Sequence, residues 1–146
     1  MCRCPSNKDE ELAYAINIIT KWCLRNPCVI RAWIFGSRVL FTNHEESDID
    51  IAIEVISRFH NESPTSVMFF EREHWARSLS VSLPWKVDLC RYEPCEDSSG
   101  DHEGLRIIRQ AVEEHGILVF DKDQPELCKP NCNILHGWSG LTLKGI

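Results

Sequence analysis

The chain has 146 residues and a formal net charge of −6, with 43% apolar and 26% charged residues. This is one domain of common size, long enough to bury a core, with ordinary globular composition. The acidic balance argues against a surface that grips long DNA or RNA through clustered Lys and Arg, and no apolar run approaches the roughly 18 residues needed to span a bilayer.

Taken in order, the first element is a helix from about residue 7 to 25. Ser6 followed by Asp9 resembles a capping pattern, Leu12, Ala15, Ile16, Ile19 and Cys23 recur at helical spacing, and Asn26-Pro27 marks the stop. A strand follows at 29 to 35, ending on Gly36-Ser37, and a second at 48 to 54. In the second, Ile49, Ile51 and Ile53 alternate with Asp48, Asp50 and Ala52, the period of a strand. Ser63-Pro64 reads as a helix entry, with serine as cap and proline in the first turn. That helix is expected to bury Val67, Phe70 or Phe69, and Leu79, with Trp75 in the core and His74 on the surface. Lys86 to Cys90 reads as a third strand with Asp88 between Val87 and Leu89. A helix from Asp101 to Gly116 turns Leu105, Ile108, Ala111 and Val112 inward, and Ile117 to Phe120 forms a short buried strand. Prolines, asparagines and glycines interrupt any pattern beyond Asp121. The expected organisation is therefore an α/β (α+β) domain over residues 1–120, ordered α-β-β-α-β-α-β with a small mixed sheet flanked by helices, and an irregular tail over 121–146. Trp138 and Leu141 are the residues that could dock the tail on the domain or on a partner.

The chemistry-bearing residues cluster on this framework. Side chains two apart on a strand share a face, roughly 6 to 7 Å apart at their attachment points, so Asp48 and Asp50 can lean together onto one or two ions. Magnesium favours such hard oxygen ligands and recruits one or two carboxylates plus substrate phosphates. If the third strand lies beside the second, Asp88 closes the constellation. Solvated surface charge is the usual fate of strand carboxylates, but like charges crowded on one face repel unless a cation compensates. Gly36 lets a ligand approach the main chain, successive N–H groups at Gly36-Ser37 can form an anion-binding concavity, and Arg38 could neutralise a phosphate charge.

Phe35-Gly36-Ser37-Arg38, then Ser47-Asp48-Ile49-Asp50-Ile51, then the isolated Asp88, resembles the signature of the DNA polymerase beta-like nucleotidyltransferase superfamily over roughly residues 8 to 120. In size the chain is similar to the minimal nucleotidyltransferases (the MNT group), small antitoxin partners of HEPN-domain proteins in prokaryotic toxin–antitoxin pairs. The resemblance implies transfer of a nucleoside monophosphate, AMP from ATP, to a hydroxyl with two magnesium ions. Gly36, Ser37 and Arg38 would hold the triphosphate, Asp48 and Asp50 the metals, and Asp88 would complete the site near the acceptor. Members commonly carry a further basic residue and a glycine after Gly-Ser-Arg. Here Val39-Leu40-Phe41 follows, so phosphate neutralisation would rest on Arg38 and the metals, and Leu40 with Phe41 could pack on a partner or a base.

The eight cysteines are irregularly spaced, and the first ten residues lack the apolar stretch of a secretory signal, so a cytoplasmic protein rather than a disulfide scaffold is expected. Cys23, Cys28 and Cys90 suit the core. Cys2 with Cys4, and Cys128 and Cys132 with His136, have the short spacing of zinc ligands, but no second well-spaced pair lies nearby and reduced thiols are the plainer reading.

Two classes of function remain open at this level. One is an enzyme that adenylylates a hydroxyl of a helical HEPN-type partner, or of a small molecule such as an aminoglycoside, though relatives of the latter kind usually carry an additional helical domain. The other is a module that binds nucleotide or masks a toxin without chemistry. A third acid on a separate strand favours the enzyme. An open cleft on so small a domain favours a hetero-oligomer, with self-association possible as well.

Overall fold

The computed structural model describes residues 8–44, 46–57, 62–94 and 103–123. Within them the elements are α1 (Lys8–Leu24), β1 (Val29–Phe35), α2 (Ser37–Leu40), β2 (Ile49–Val55), α3 (Pro64–Ser82), β3 (Val87–Arg91), α4 (Glu103–His115) and β4 (Ile117–Asp121). The sheet runs β3-β2-β1-β4, with β2 and β3 parallel and the other two pairings antiparallel. This is the mixed, helix-flanked sheet anticipated from sequence, with one addition. Residues 37–40 form a short helix, α2, where a loop was expected. The Ser6 cap, the start at Asp101, the candidate zinc ligands and Trp138 and Leu141 lie outside the described residues.

The strand period of two divides the sheet into unlike faces. Ile34, Ile49, Ile51, Ile53, Val87 and Leu89 join the main core under α1 and α3. Phe35 and Ala52, with Trp33 and Cys90 beside them, meet Val112, Ile108 and Ala111 of α4 on the other. Asp50 and Asp88 alternate with the core isoleucines and Leu89, so they share the α4 face with Ala52 and Cys90. At the end of β1 and β2 away from Asp50, Arg31 pairs with Glu54 at 2.8 Å and Asp121 at 3.3 Å, joining β2, β1 and β4. The bond to Glu54 is the main reason its guanidinium titrates above the usual range. Asp121, expected to open the tail, is buried as the last residue of β4.

Helix α3 starts as its sequence suggests, with the Ser63 side chain accepting from the Ser66 N–H at 3.1 Å. Its buried set differs in part. Val67, Met68, Trp75 and Leu79 face inward, while Phe69 and Phe70 are 80% and 70% exposed and stack edge to face on each other. Four consecutive apolar residues span more than a full turn, so only some can face the core. The choice is made by α1, whose Trp22 packs edge-on against Trp75 with ring centroids 5.8 Å apart. Helix α4 stops where expected: the Gly116 N–H donates to Val112 O at 2.8 Å, and a β-carbon there would stand 2.6 Å from the same carbonyl oxygen.

Candidate active site

Two strand registers assemble the site. The antiparallel β1–β2 register sets Phe35 opposite Asp50, so the turn at Gly36 arrives beside that aspartate. The parallel β2–β3 register sets Asp50 opposite Asp88. Gly36 has φ 83° and ψ −156°, a conformation open almost only to glycine. Space makes the same demand, since a β-carbon on Gly36 would lie 2.2 Å from Asp50 Oδ2.

The carboxylates repel where they meet. Burial, and then the charge of Asp88, its hydrogen bond and the charge of Asp48, push Asp50 up to about 6, against a smaller downward pull from Arg38. A carboxyl held so high is poorly neutralised by its protein neighbours. Asp48 is exposed immediately before β2, where the Ile49 N–H donates to Lys86 O at 2.9 Å and ties the mouth of β2 to the residue before β3. Among the described residues, no three His, Cys, Asp or Glu side chains stand close enough together to enclose an ion as they lie. Asp50 and Asp88 are in direct contact, whereas Asp48 acts on Asp50 through its charge.

The turn residues take unlike roles. The Gly36 N–H, expected to help form an anion-binding concavity, donates instead to His115 Nε2 at 2.9 Å. The Gly36 carbonyl accepts from Val39 and Leu40 N–H, both at 3.1 Å, within α2. Arg38, expected to reach phosphate, points inward and is only 6% exposed. Its guanidinium donates to Ser47 O at 2.6 Å and to Glu11 at 3.2 Å, and lies 4.1 Å from the centre of the Trp85 ring. Burial lowers its pKa, with Glu11 opposing. Arg38 therefore supports the site from beneath, tying α1 and the approach to Asp48 to α2. Phe41 ends α2 in the left-handed conformation, φ 60° and ψ 31°. Lys8 Nζ clamps the following stretch, donating to Phe41 O at 3.0 Å and Asn43 O at 3.1 Å.

On the outer side, Arg72 of α3 donates from Nε to Leu89 O at 2.7 Å and brings Nη2 to 3.7 Å from Asp88 Oδ1. Arg72, Lys86, Met68 and Phe69 line an open groove of about 540 Å³ that Asp88 also borders. Cys90 lies beside Asp88, its Sγ 3.9 Å from Asp88 Oδ1, and burial with the charge of Asp88 pushes its thiol up to about 12, so it stays protonated. Neither Arg72 nor His115 carries a local signal in the sequence. Each reaches the site from a helix brought there by long-range pairing, and only the Gly116 stop beside His115 hints at a constrained position.

The residues of the turn and the carboxylates lie within a stretch of sequence matched by a family profile. The family described as Polymerase beta, Nucleotidyltransferase covers residues 17–125, most of the described domain and all the site residues. The chain belongs to that nucleotidyltransferase family. Solved structures share the fold. One is a chain of a toxin–antitoxin crystal structure with AMP-PNP, at TM-score 0.52 and 24% identity, covering 82% of this chain and 86% of that one. Two others come from mutants of the MntA toxin–antitoxin, at TM-scores 0.51 and 0.50 and identities of 21% and 24%. Each covers 82% of this chain, and 85% and 84% respectively of the other. No curated protein matches the sequence.

For a nucleotidyltransferase, the donor set suits magnesium. The ligands on offer are hard carboxylate oxygens, Asp50 is held high first by burial and then by the negative charge of Asp88 and Asp48, and Gly36 lies against Asp50 Oδ2 with no side chain between them. No helix of the described residues is long and apolar enough to cross a membrane.

Proposed function

We propose that this nucleotidyltransferase transfers AMP from magnesium-bound ATP to a hydroxyl of a helical HEPN-type partner protein, as the antitoxin of a toxin–antitoxin pair. The observation that carries the reading is the contact of Asp50 with Asp88 across paired strands beside the Gly36 turn. A pair of mutually repelling carboxylates is costly without a cation, and metal-assisted phosphoryl chemistry needs that arrangement. The membership of the family and the likeness to chains of toxin–antitoxin structures, one with AMP-PNP, support the class of substrate and partner.

In this reading Asp48 and Asp50 hold the metals, and Asp88 completes the set from β3. When bound, magnesium neutralises the triphosphate and lowers the pKa of the attacking hydroxyl. Ser37 offers its N–H and hydroxyl to the distal phosphates, and Arg38 keeps α2 and the segment before Asp48 in place. Asp88 borders the open groove, so an acceptor hydroxyl entering there comes within reach of Asp88, which orients it and accepts its proton. The Cys90 thiol takes no part.

The test is intact-mass analysis of the protein co-purified with its partner after incubation with ATP and magnesium. The partner should gain the mass of an adenylyl group with wild type and not with Asp48→Ala. Tight ATP binding with no transfer would favour the second reading, a nucleotide-sensing or toxin-masking module, for which the engagement of the Gly36 N–H and the burial of Arg38 already speak.

A further inference from the structure

We infer that His115 is a positioning residue for the triphosphate-binding turn, holding the Gly36 peptide through its Nε2 atom; the inference rests on the nucleotide reading above. The antiparallel pairing of β1 with β4 sets Ile34 opposite Ile117. Two residues beyond Ile34 is Gly36, and two residues before Ile117 is His115, so the register that closes the sheet also brings the last residue of α4 against the turn. Gly116 fixes the exit of α4, because its N–H bonds Val112 O and a side chain there would collide with that carbonyl. The imidazole is thus delivered from a rigid helix end, with its ring 6.5 Å from that of Phe35.

The bond has a definite polarity. A backbone N–H can only donate, so Nε2 accepts, and the ring is neutral with its proton on Nδ1. The Gly36 carbonyl is already held by the N–H groups of Val39 and Leu40. With the N–H held by His115, both polar groups of Gly36 are fixed at a backbone conformation few residues adopt. Two consequences follow. The turn is set before nucleotide arrives, so binding does not have to order it. The Gly36 N–H is also withdrawn from the phosphates, so recognition at the turn falls to the Ser37 N–H and hydroxyl.

The decisive experiment pairs a spectroscopic readout of the bond with an affinity. In ¹⁵N-labelled wild-type protein, a through-hydrogen-bond coupling should connect the Gly36 amide nitrogen with His115 Nε2. His115→Phe keeps a ring beside Phe35 but has no acceptor. His115→Gln offers an amide oxygen at similar reach. Magnesium–ATP titrations should show binding weakened about tenfold in His115→Phe, the scale of one well-placed hydrogen bond, and restored to within about twofold of wild type in His115→Gln. Absence of the coupling in wild type, wild-type ATP affinity in His115→Phe, or equal impairment of both variants would overturn the positioning role. Wild-type protein that shows the coupling yet binds no ATP would overturn the nucleotide reading and the role with it. Wild type that binds ATP no better than His115→Phe overturns the role alone.

Discussion

Asp50 stands directly opposite Asp88 in the parallel register of β2 and β3, where the charge of Asp88 bears on the Asp50 carboxyl. Burial of Asp50, and after it that neighbouring charge, fix a pH dependence. Asp50 titrates at about 6 in the folded protein against an ordinary 3.8, so the native state keeps a proton that the unfolded chain releases. The resulting stabilisation is complete below the unfolded value and is lost as the pH rises through about 6. Asp50→Asn mimics the protonated form at every pH. Without divalent cations it should melt near the wild-type temperature at acid pH and above it at pH 8, the gap opening between about 4 and about 6. A constant gap across thermal melts in that range would contradict the assignment.

Gly36 leaves no room for a side chain against Asp50. In Gly36→Ala the added carbon must displace Asp50 Oδ2, 2.2 Å away, and the backbone must hold φ 83° with a β-carbon present. A cost of about 1–3 kcal/mol is expected for such strain, together with weaker ATP binding, because the turn and Asp50 move apart. Melting temperature and ATP titration check the two parts separately. An unchanged melting temperature would mean that the turn tolerates the carbon.

Phe41 presents the opposite case, a bulky residue at a position suited to glycine. It closes α2 at φ 60°, where a side chain costs about 1–2 kcal/mol. Phe41→Gly should relieve that strain and stabilise the fold by up to about 1 kcal/mol, while Phe41→Ala, which keeps the β-carbon, should not. Denaturant midpoints of the two variants compare them directly. A gain in both would point to the exposed ring rather than the backbone as the source of the cost.

Arg38 distinguishes a buried support from a phosphate ligand. Its fork spans Glu11, Ser47 O and the Trp85 face, a geometry that lysine cannot reproduce. Arg38→Lys should therefore lower stability by about 1–3 kcal/mol, and Arg38→Met by more, since it leaves Glu11 without this cation. A direct phosphate ligand would behave otherwise, losing ATP affinity with the melting temperature unchanged.

Local chemistry carried the parts of the fold that the sequence states openly. The alternation of Ile49, Ile51 and Ile53 with Asp48, Asp50 and Ala52 is a strand in any setting, Ser63-Pro64 caps α3 whatever surrounds it, and Gly116 ends α4. What stayed hidden depends on partners far along the chain. The run Val67 to Phe70 offers four apolar side chains, and only the packing of Trp22 on Trp75 shows that Phe69 and Phe70 are the outward pair. An arginine after a Gly-Ser turn reads as a phosphate ligand until Glu11 and Trp85 are seen to enclose it. His115 and Arg72 reach the site by sheet register and helix packing, which a single sequence does not display.

In the proposed function, Asp48, Asp50 and Asp88 hold divalent cations beside the Gly36 turn. Electron paramagnetic resonance titration of manganese(II), a spectroscopic stand-in for magnesium, in the presence of a non-hydrolysable ATP analogue tests it most directly. Wild-type protein is predicted to bind manganese together with nucleotide, and Asp50→Asn and Asp88→Asn to lose at least one bound ion each while remaining folded. Equal manganese binding by wild type and both variants would contradict the account.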